Sequence, residues 1–407
     1  MASDFDLVLF GASGFTGRLV AEYLREHAPA QLRWAIAGRS QLKLDALGLG
    51  VPVLIADALD EPAVRAIAAR TRVICTTAGP FARYGSAIVA ACAAAGTHYC
   101  DLTGEVPWMR RMIDAHHARA VETGARIVHT CGFDSIPSDL GTWATQQAFV
   151  AKFGRPAQKV TALFGETSGG FSGGTVASAL DTMREADEPG VRTLIENPYA
   201  LDPDPAAARP DAPDERSITM EPHLKLFTAP FVMAQVNSRV VRRGHALAGL
   251  PWGDGFVYRE AMSAPADLRG FAMAAGIFGG SAALGFALKT KGLRDLVAKR
   301  APRPGDGPSP AARARGHWKL RLIAEAKPAA GAVERAEQVL IYTVSDRADP
   351  GYGSTAKMLG ESALCLALDP LTSQGGVLTP SVAMGQHLLD RLRSVGLTFE
   401  VASRAKN

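Results

Sequence analysis

The stretch VLFGASGFTGRLV, Val8 to Val20, constrains this chain more than any other. A short apolar run ends in glycine, Gly14 and Gly17 follow Gly11 at intervals of three, and an amphipathic run begins at once. A strand that empties into a helix through bare backbone presents the helix's first N–H groups, which lack intrahelical partners, and the positive end of its dipole. That is a site for an anion. Read this way, Gly11 permits the tight turn, Gly14 lets a pyrophosphate approach the backbone, and Gly17 lets helix pack on strand. The plainer alternative is a glycine-rich turn with no ligand. What surrounds the turn favours the dinucleotide site.

Up to about residue 130 the pattern alternates between short apolar runs and amphipathic ones. Leu7–Gly11, Trp34–Gly38, Val51–Ala56, Val73–Thr76, His98–Cys100 and Arg126–His129 read as strands buried on both faces. Arg18–His27, Leu42–Leu47, Glu61–Arg70, Ser86–Ala95 and Pro107–Thr123 read as the helices between them. The alternation predicts an α/β fold with an N-terminal Rossmann-type, doubly wound parallel sheet. Beyond residue 150 it stops. Lys159–Gly165, Leu224–Phe231, Phe231–Asn237, Trp318–Ala326 and Gln338–Val344 read as strands of a mostly antiparallel second domain. Pro-rich segments at Asp187–Arg216 and Arg300–Arg315 read as surface loops. Ser354–Leu368 and Pro380–Val395 read as helices, followed by the apolar Leu397–Val401.

A chain of 407 residues suits two domains. A net charge of +4 with 21% charged residues gives no electrostatic footprint for nucleic acid, and none is expected as a partner. The five cysteines are odd in number and lack CxxC or zinc spacing, as reduced thiols of a cytoplasmic protein do. No metal site is expected. The N-terminus enters a strand directly, without the charged and apolar regions of a secretory signal.

The second strand ends in AGRSQLK. An NAD site usually carries Asp or Glu there to bond the ribose 2′-OH. This chain places Arg39, then Ser40, with Lys43 a helical turn on. A forked guanidinium suits a 2′-phosphate, which a carboxylate would repel, so the expected cofactor is NADP(H). The alternative is a solvated surface arginine. Extended short-chain dehydrogenases share the glycine spacing but use a Tyr-x-x-x-Lys pair. None of the seven tyrosines has Lys four residues later, which excludes that class.

The segments FGASGFTG, AGR, TTAGPFARYG, YCDLTGE and GFDSIPSDLG, in that order, resemble the saccharopine dehydrogenase-like oxidoreductases. The resemblance is dense over residues 5–142 and resumes more loosely in GGTVASAL, PRPGDGPS and GYGSTAKMLGESALCLALD. Within that family the chain is similar to the bacterial trans-acting enoyl reductases, which reduce carrier-bound enoyl intermediates in complex-lipid synthesis. The resemblance implies a Rossmann domain over residues 1–132, an inserted α+β domain for substrate or dimerisation over 133–350, and a C-terminal helical return to the first domain over 351–407. It also implies cofactor contacts at Gly11, Ser13, Gly14, Phe15, Thr16, Gly17, Arg39, Ser40, Thr77, Ala78, Gly79 and Asp101. It transfers no catalytic set.

For an enoyl thioester, hydride reaches the β-carbon, and the enolate that forms needs a donor. Tyr84, in the loop after the fourth strand, is the first candidate, with packing of its ring as the alternative. Asp134 and Ser135 follow the sixth strand and face the same crevice, unless they cap the helix near Pro137. Asp101 and Glu105 are further acid or base candidates. His98 and Cys100 read as core, and His116-His117 as a solvated helix face. The glycine-rich Gly165–Leu180 either admits an acyl chain or phosphopantetheine, or only connects strand to helix.

The segment Phe271–Leu288 is eighteen residues without a charge, followed by KTKGLRDLVAKR. As a helix it spans roughly 27 Å, just under a ~30 Å hydrocarbon core. A buried or homodimer-interface helix, a membrane-surface or acyl-chain cover extending to Arg300, and a transmembrane span are the three readings it allows. The expected function is an NADPH-dependent reductase of a lipidic, small-molecule or carrier-bound acyl substrate, in the cytoplasm or at a membrane. A saccharopine-type amino-acid dehydrogenase and a non-catalytic, lipid-associated NADP-binding protein are the alternatives.

Overall fold

The computed structural model describes residues 3–168, 173–207, 209, 214–300, 315–328 and 337–402. Strands β1 (Phe5–Phe10), β2 (Trp34–Gly38), β3 (Val53–Ile55), β4 (Thr71–Thr76), β5 (His98–Cys100) and β6 (Arg126–Val128) are the first six of the chain. They form a parallel sheet with a late member, β13 (Gly376–Leu378), in the order β13-β6-β5-β4-β1-β2-β3. The period-two alternation of these strands divides the domain into two cores. Leu7, Leu9, Val73, Cys75, Cys100 and Val128 face one side. Val8, Phe10, Ile74, Tyr99 and Ile127 face the other. All five cysteines are free and buried, as expected of reduced thiols.

Helices α1 (Phe15–His27), α2 (Gln41–Asp45), α3 (Glu61–Ala68), α4 (Phe81–Tyr84), α5 (Ser86–Ala95) and α6 (Val106–Thr123) connect the strands. Then α7 (Ile136–Phe153) leads to the second sheet, on which it packs. That sheet contains β7 (Lys159–Ser168), β8 (Thr219–Glu221), β9 (Leu226–Ala229), β10 (Val257–Pro265), β11 (His317–Ala326), β12 (Gln338–Asp346) and β14 (Thr398–Val401). Its order is β14-β12-β11-β7-β10-β9-β8. The pairing of β7 with β10 is parallel and the others are antiparallel, so the sheet is mixed.

Several expectations change here. Phe231–Asn237 is no strand: it is a turn entering α10 (Ala234–Leu247), which follows α8 (Gly173–Glu185) and α9 (Pro189–Glu196). Its valines look β-prone, but Val240 and Val241 occupy a buried helical face. The buried arginines of α10 donate to backbone carbonyls: Arg239 to Ile195, Arg242 to Pro198 and Tyr258, Arg243 to Leu201 and Val377. Of these acceptors Pro198 and Leu201 lie in the irregular stretch just beyond α9, whose carbonyls are satisfied in this way. The Pro-rich stretch after Asp187 thus contains a helix, while 301–314 of the second Pro-rich segment lie outside the described residues. His117, expected on a solvated face, is half-buried and accepts the Val377 amide at 3.1 Å.

After α11 (Leu268–Lys289) and α12 (Lys291–Arg300), the C-terminal stretch serves both sheets rather than the first alone. Helix α13 (Thr355–Leu368) packs on α1, β4 and β5, and β13 extends the parallel sheet. Helix α14 (Pro380–Ser394) packs on α7 and α13, and β14 pairs with β12 of the second sheet. The two layers are therefore closed by the same final stretch of chain.

Candidate active site

At the C-terminal end of β1, Gly11 has φ +85°, and a Cβ there would lie 2.9 Å from Ala78 N. A Cβ on Gly17 would stand 2.2 Å from Gly11 O and 2.8 Å from Thr77 Oγ1. Both glycines are needed for the chain to pack against itself. Gly14 is different: it is exposed, it is the residue immediately before α1, and a Cβ there would meet only Gly11 O at 3.4 Å. The space it leaves open lies before the first turn of α1, where helix amides have no intrahelical acceptors. A dinucleotide pyrophosphate fits that cradle.

The loop after β4 is tied to this turn. Thr77 Oγ1 donates to Gly11 O at 3.1 Å, and Thr77 N to Phe10 O at 3.0 Å. Ala78 and Gly79 follow at the surface of the same crevice. Ser13, Phe15 and Thr16 are half-buried around the glycine turn. The Phe15 ring meets the edge of Tyr352 at 4.9 Å, bringing the turn before α13 to the mouth of the site. Tyr352 was missed in the sequence, because contact across more than three hundred residues leaves no local signal.

At the end of β2 the Arg39 side chain is 70% exposed, with Asp57 Oδ2 3.9 Å away. An exposed pair at that distance holds little, so the guanidinium is available to a ligand. Ser40 caps α2, accepting the Lys43 amide at 3.4 Å, and Lys43 is exposed on the first turn.

Asp101 departs from expectation. It is fully buried, and its carboxylate is used by the protein. Oδ2 accepts the Tyr99 hydroxyl at 2.8 Å and lies 2.7 Å from His129 Nδ1. Oδ1 accepts the Thr103 and Thr130 amides at 3.0 and 3.1 Å. Thr130 sits at φ 62°, a costly conformation for a β-branched residue. Asp101 therefore binds the loops after β5 and β6 to each other beneath the crevice, with no lone pair directed to a nucleotide.

Glu105 behaves similarly. Buried, with its pKa raised by that burial, it accepts the Phe81 and Ala82 amides at 2.9 and 2.7 Å. It fixes the start of α4 rather than facing substrate. Tyr84, at the end of α4, is half-buried against the core that contains Ile88, Val89 and Trp108. Ser135 is fully buried and donates to Asn237 Oδ1 at 3.0 Å. Asn237 and Tyr258 in turn donate to Glu260, each at 2.6 Å. This network locks α7 to α10 and β10, so Ser135 neither caps its helix nor reaches the crevice.

Asp134 remains. Its carboxyl lies between the loops after β5 and β6: Cβ atoms built on Gly132 and Gly104 would be 3.2 Å from Oδ2 and 4.0 Å from Oδ1. Among the described residues no cation pairs with it. Burial pushes its pKa up to about 7, an effect its own backbone amide opposes and the Asp101 charge reinforces. Beside it, the half-buried Phe133 packs edge-on to Phe164 (5.6 Å) and Trp318 (4.9 Å), with Phe231 against Phe164 (4.7 Å). The crevice thus joins a phosphate cradle, a carboxyl with a raised pKa and aromatic rings that pack on the second sheet. Residues 169–172 of the glycine-rich segment beyond β7 lie outside those described.

His223, Glu325 and Glu337 come together on the second sheet, but Lys159 already pairs with Glu325 at 2.7 Å.

A doubly wound sheet with this cradle and an open Arg39 defines a dinucleotide-dependent oxidoreductase. Residues 7–128 match the saccharopine dehydrogenase NADP-binding domain. A Mycobacterium tuberculosis protein provisionally named a trans-acting enoyl reductase is 41% identical over 99% of this chain and 98% of its own. The trans-acting enoyl reductases of Mycobacterium bovis and Mycobacterium leprae are 39% and 37% identical, each over 97% of both chains. The apo saccharopine dehydrogenase (L-Glu forming) of Saccharomyces cerevisiae superposes with a TM-score of 0.55 over 98% of this chain and 99% of its own; at 13% identity that likeness is one of fold. The chain belongs to the trans-acting enoyl reductase family of saccharopine dehydrogenase-like proteins. It is an NADP-dependent oxidoreductase.

Proposed function

We propose that the protein reduces the carbon–carbon double bond of an enoyl thioester presented on a carrier, with Asp134 as proton donor. NADPH bound in the cradle supplies the hydride. The glycine turn and the amides of α1 hold the pyrophosphate, and Arg39, with Lys43 nearby, meets the 2′-phosphate. The half-buried rings of Phe133 and Phe231, backed by the buried Phe164 and Trp318, exclude water from an apolar chain. With its pKa raised to about 7, the Asp134 carboxyl is partly protonated at neutral pH, where an ordinary aspartate is ionised. That carboxyl is the observation that carries the reading, and full-length similarity to trans-acting enoyl reductases supports the substrate class.

The test is NADPH oxidation followed by absorbance, with crotonyl and longer enoyl thioesters set against saccharopine with NADP⁺. Turnover of the thioesters alone is expected. Turnover of saccharopine alone would replace this reading with that of an amino-acid dehydrogenase. Cofactor choice is tested at Arg39. Arg39→Asp is expected to weaken NADPH binding at least about tenfold, or ~1.4 kcal/mol, and to narrow the gap to NADH. Unchanged NADPH affinity in a titration would remove Arg39 from the site.

A further inference from the structure

Helix α11 is apolar throughout, and the rest of the protein barely covers it. Its most apolar eighteen-residue window has a mean hydropathy of 1.7, and only 6% of that window is buried. One narrow stripe faces inward: Gly270, Ala274, Ile277 and Ser281, at steps of four and three. A Cβ on Gly270 would collide with Pro265 O, and Ala274 packs with Ala229 and Ala264 of the second sheet. The outward face carries Phe271, Met273, Phe278, Leu284 and Phe286, from 40% exposed at Phe278 to 66% at Phe286. Leu293 and Leu296 continue it along α12 at 38% and 46%. A patch of this kind marks an interaction surface.

Charge identifies the occupant. Between Arg269 and Lys289 the helix carries no charged residue, while Arg269, Lys289, Lys291 and Lys299 are exposed around its ends. Two exposed acids stand among these four cations, Asp267 where it caps α11 and Asp295 on α12. Arg294, between Lys291 and Lys299 on α12, is buried. It pairs with Asp187 at 2.7 and 3.2 Å and donates to Met183 O at 2.9 Å. A second copy of the chain fits poorly on this face. An antiparallel twofold pairing would set Arg269 opposite the lysines of the partner, and a parallel one would set like against like. A transmembrane course fails too, because the inward stripe is docked on β9, β10 and α8.

We propose that α11, with α12, seats the protein on an anionic lipid surface, the outward face resting at the headgroup–acyl boundary and the flanking cations among the phosphates. The apolar face supplies the anchoring and the cations its preference for anionic lipid. This inference is independent of the enoyl reductase reading, and its test reads no turnover. The full chain is sedimented with vesicles of phosphatidylcholine alone or mixed with phosphatidylglycerol, at low and high salt. Binding is expected to the mixed vesicles and to fall at high salt. Lys289→Glu with Lys291→Glu is expected to lower it roughly tenfold or more. Phe278→Asp with Phe286→Asp is expected to abolish it, and both variants keep wild-type NADPH affinity and circular dichroism. Protein left in the supernatant with every vesicle would overturn the proposal. So would a dimer in ultracentrifugation that the phenylalanine variant dissolves, in a protein that ignores vesicles, since the face would then belong to a second copy.

Discussion

Gly14→Val is expected to leave the chain folded and unable to hold NADPH, with affinity lower by at least about a hundredfold, or ~2.7 kcal/mol. A Cβ at Gly14 meets nothing closer than Gly11 O at 3.4 Å, an ordinary contact, so the protein itself accommodates the new side chain. The valine methyl groups then stand where the pyrophosphate must approach the first turn of α1. Gly17→Val is expected to do the reverse. Its Cβ would sit 2.2 Å from Gly11 O, with Thr77 Oγ1 behind it, so the turn must open. Overpacking of this kind typically costs about 1–3 kcal/mol, and a clash with backbone leaves less room for relief. Thermal melting and NADPH titration of the two variants separate the effects. If Gly14→Val melts early, or binds NADPH normally, the cradle has been misassigned.

Replacing Asp134 by Asn is expected to lower kcat by about 10²–10⁴ while NADPH affinity stays unchanged, because asparagine preserves shape but delivers no proton. The pH profile carries the sign. The acid form is the active one, and a carboxyl pushed up to about 7 keeps its proton below that pH and loses it above. Activity should therefore fall as pH rises through about 7, and the Asn variant should lack that limb. Asp101→Asn removes a negative charge that reinforces the effect of burial on Asp134, so the breakpoint should move to lower pH. A merely structural role for Asp101 predicts lower stability with the breakpoint in place. A kcat within a few-fold of wild type for Asp134→Asn would end its candidacy and return Tyr84 to consideration.

The parallel sheet was legible because its physics is local. Alternating short apolar runs and amphipathic helices can bury both faces in essentially one architecture, and the glycine spacing marks the turn where Gly11 and Gly17 leave the chain no room for a side chain and Gly14 leaves room for a ligand. Arg39 was legible for a similar reason, since its place at the end of the second strand follows from chain order. The second sheet was harder to read. Its parallel pair, β7 and β10, and its last strand, β14, join segments far apart in sequence. The helix α10 hid behind a run of valines whose local preference was overruled by packing on α7 and β10.

The residues around the crevice divide along the same line. By itself the sequence determined which groups stand on the loops after β4, β5 and β6: Tyr84, Asp101, Glu105, Asp134 and Ser135 all occupy positions where ligands meet an open sheet. Only the tertiary structure decided their duties, because a carboxyl or hydroxyl is committed by whatever else is buried beside it. Asp101 is consumed by Tyr99, His129 and two amides, Glu105 by the start of α4, and Ser135 by Asn237. Among the described residues Asp134 meets no cation, and its surrounding, which no spacing of residues encodes, raises its pKa to about 7. The apolar length of α11 was likewise plain in the sequence. Which of its faces is docked and which remains open depended on a sheet assembled from distant strands.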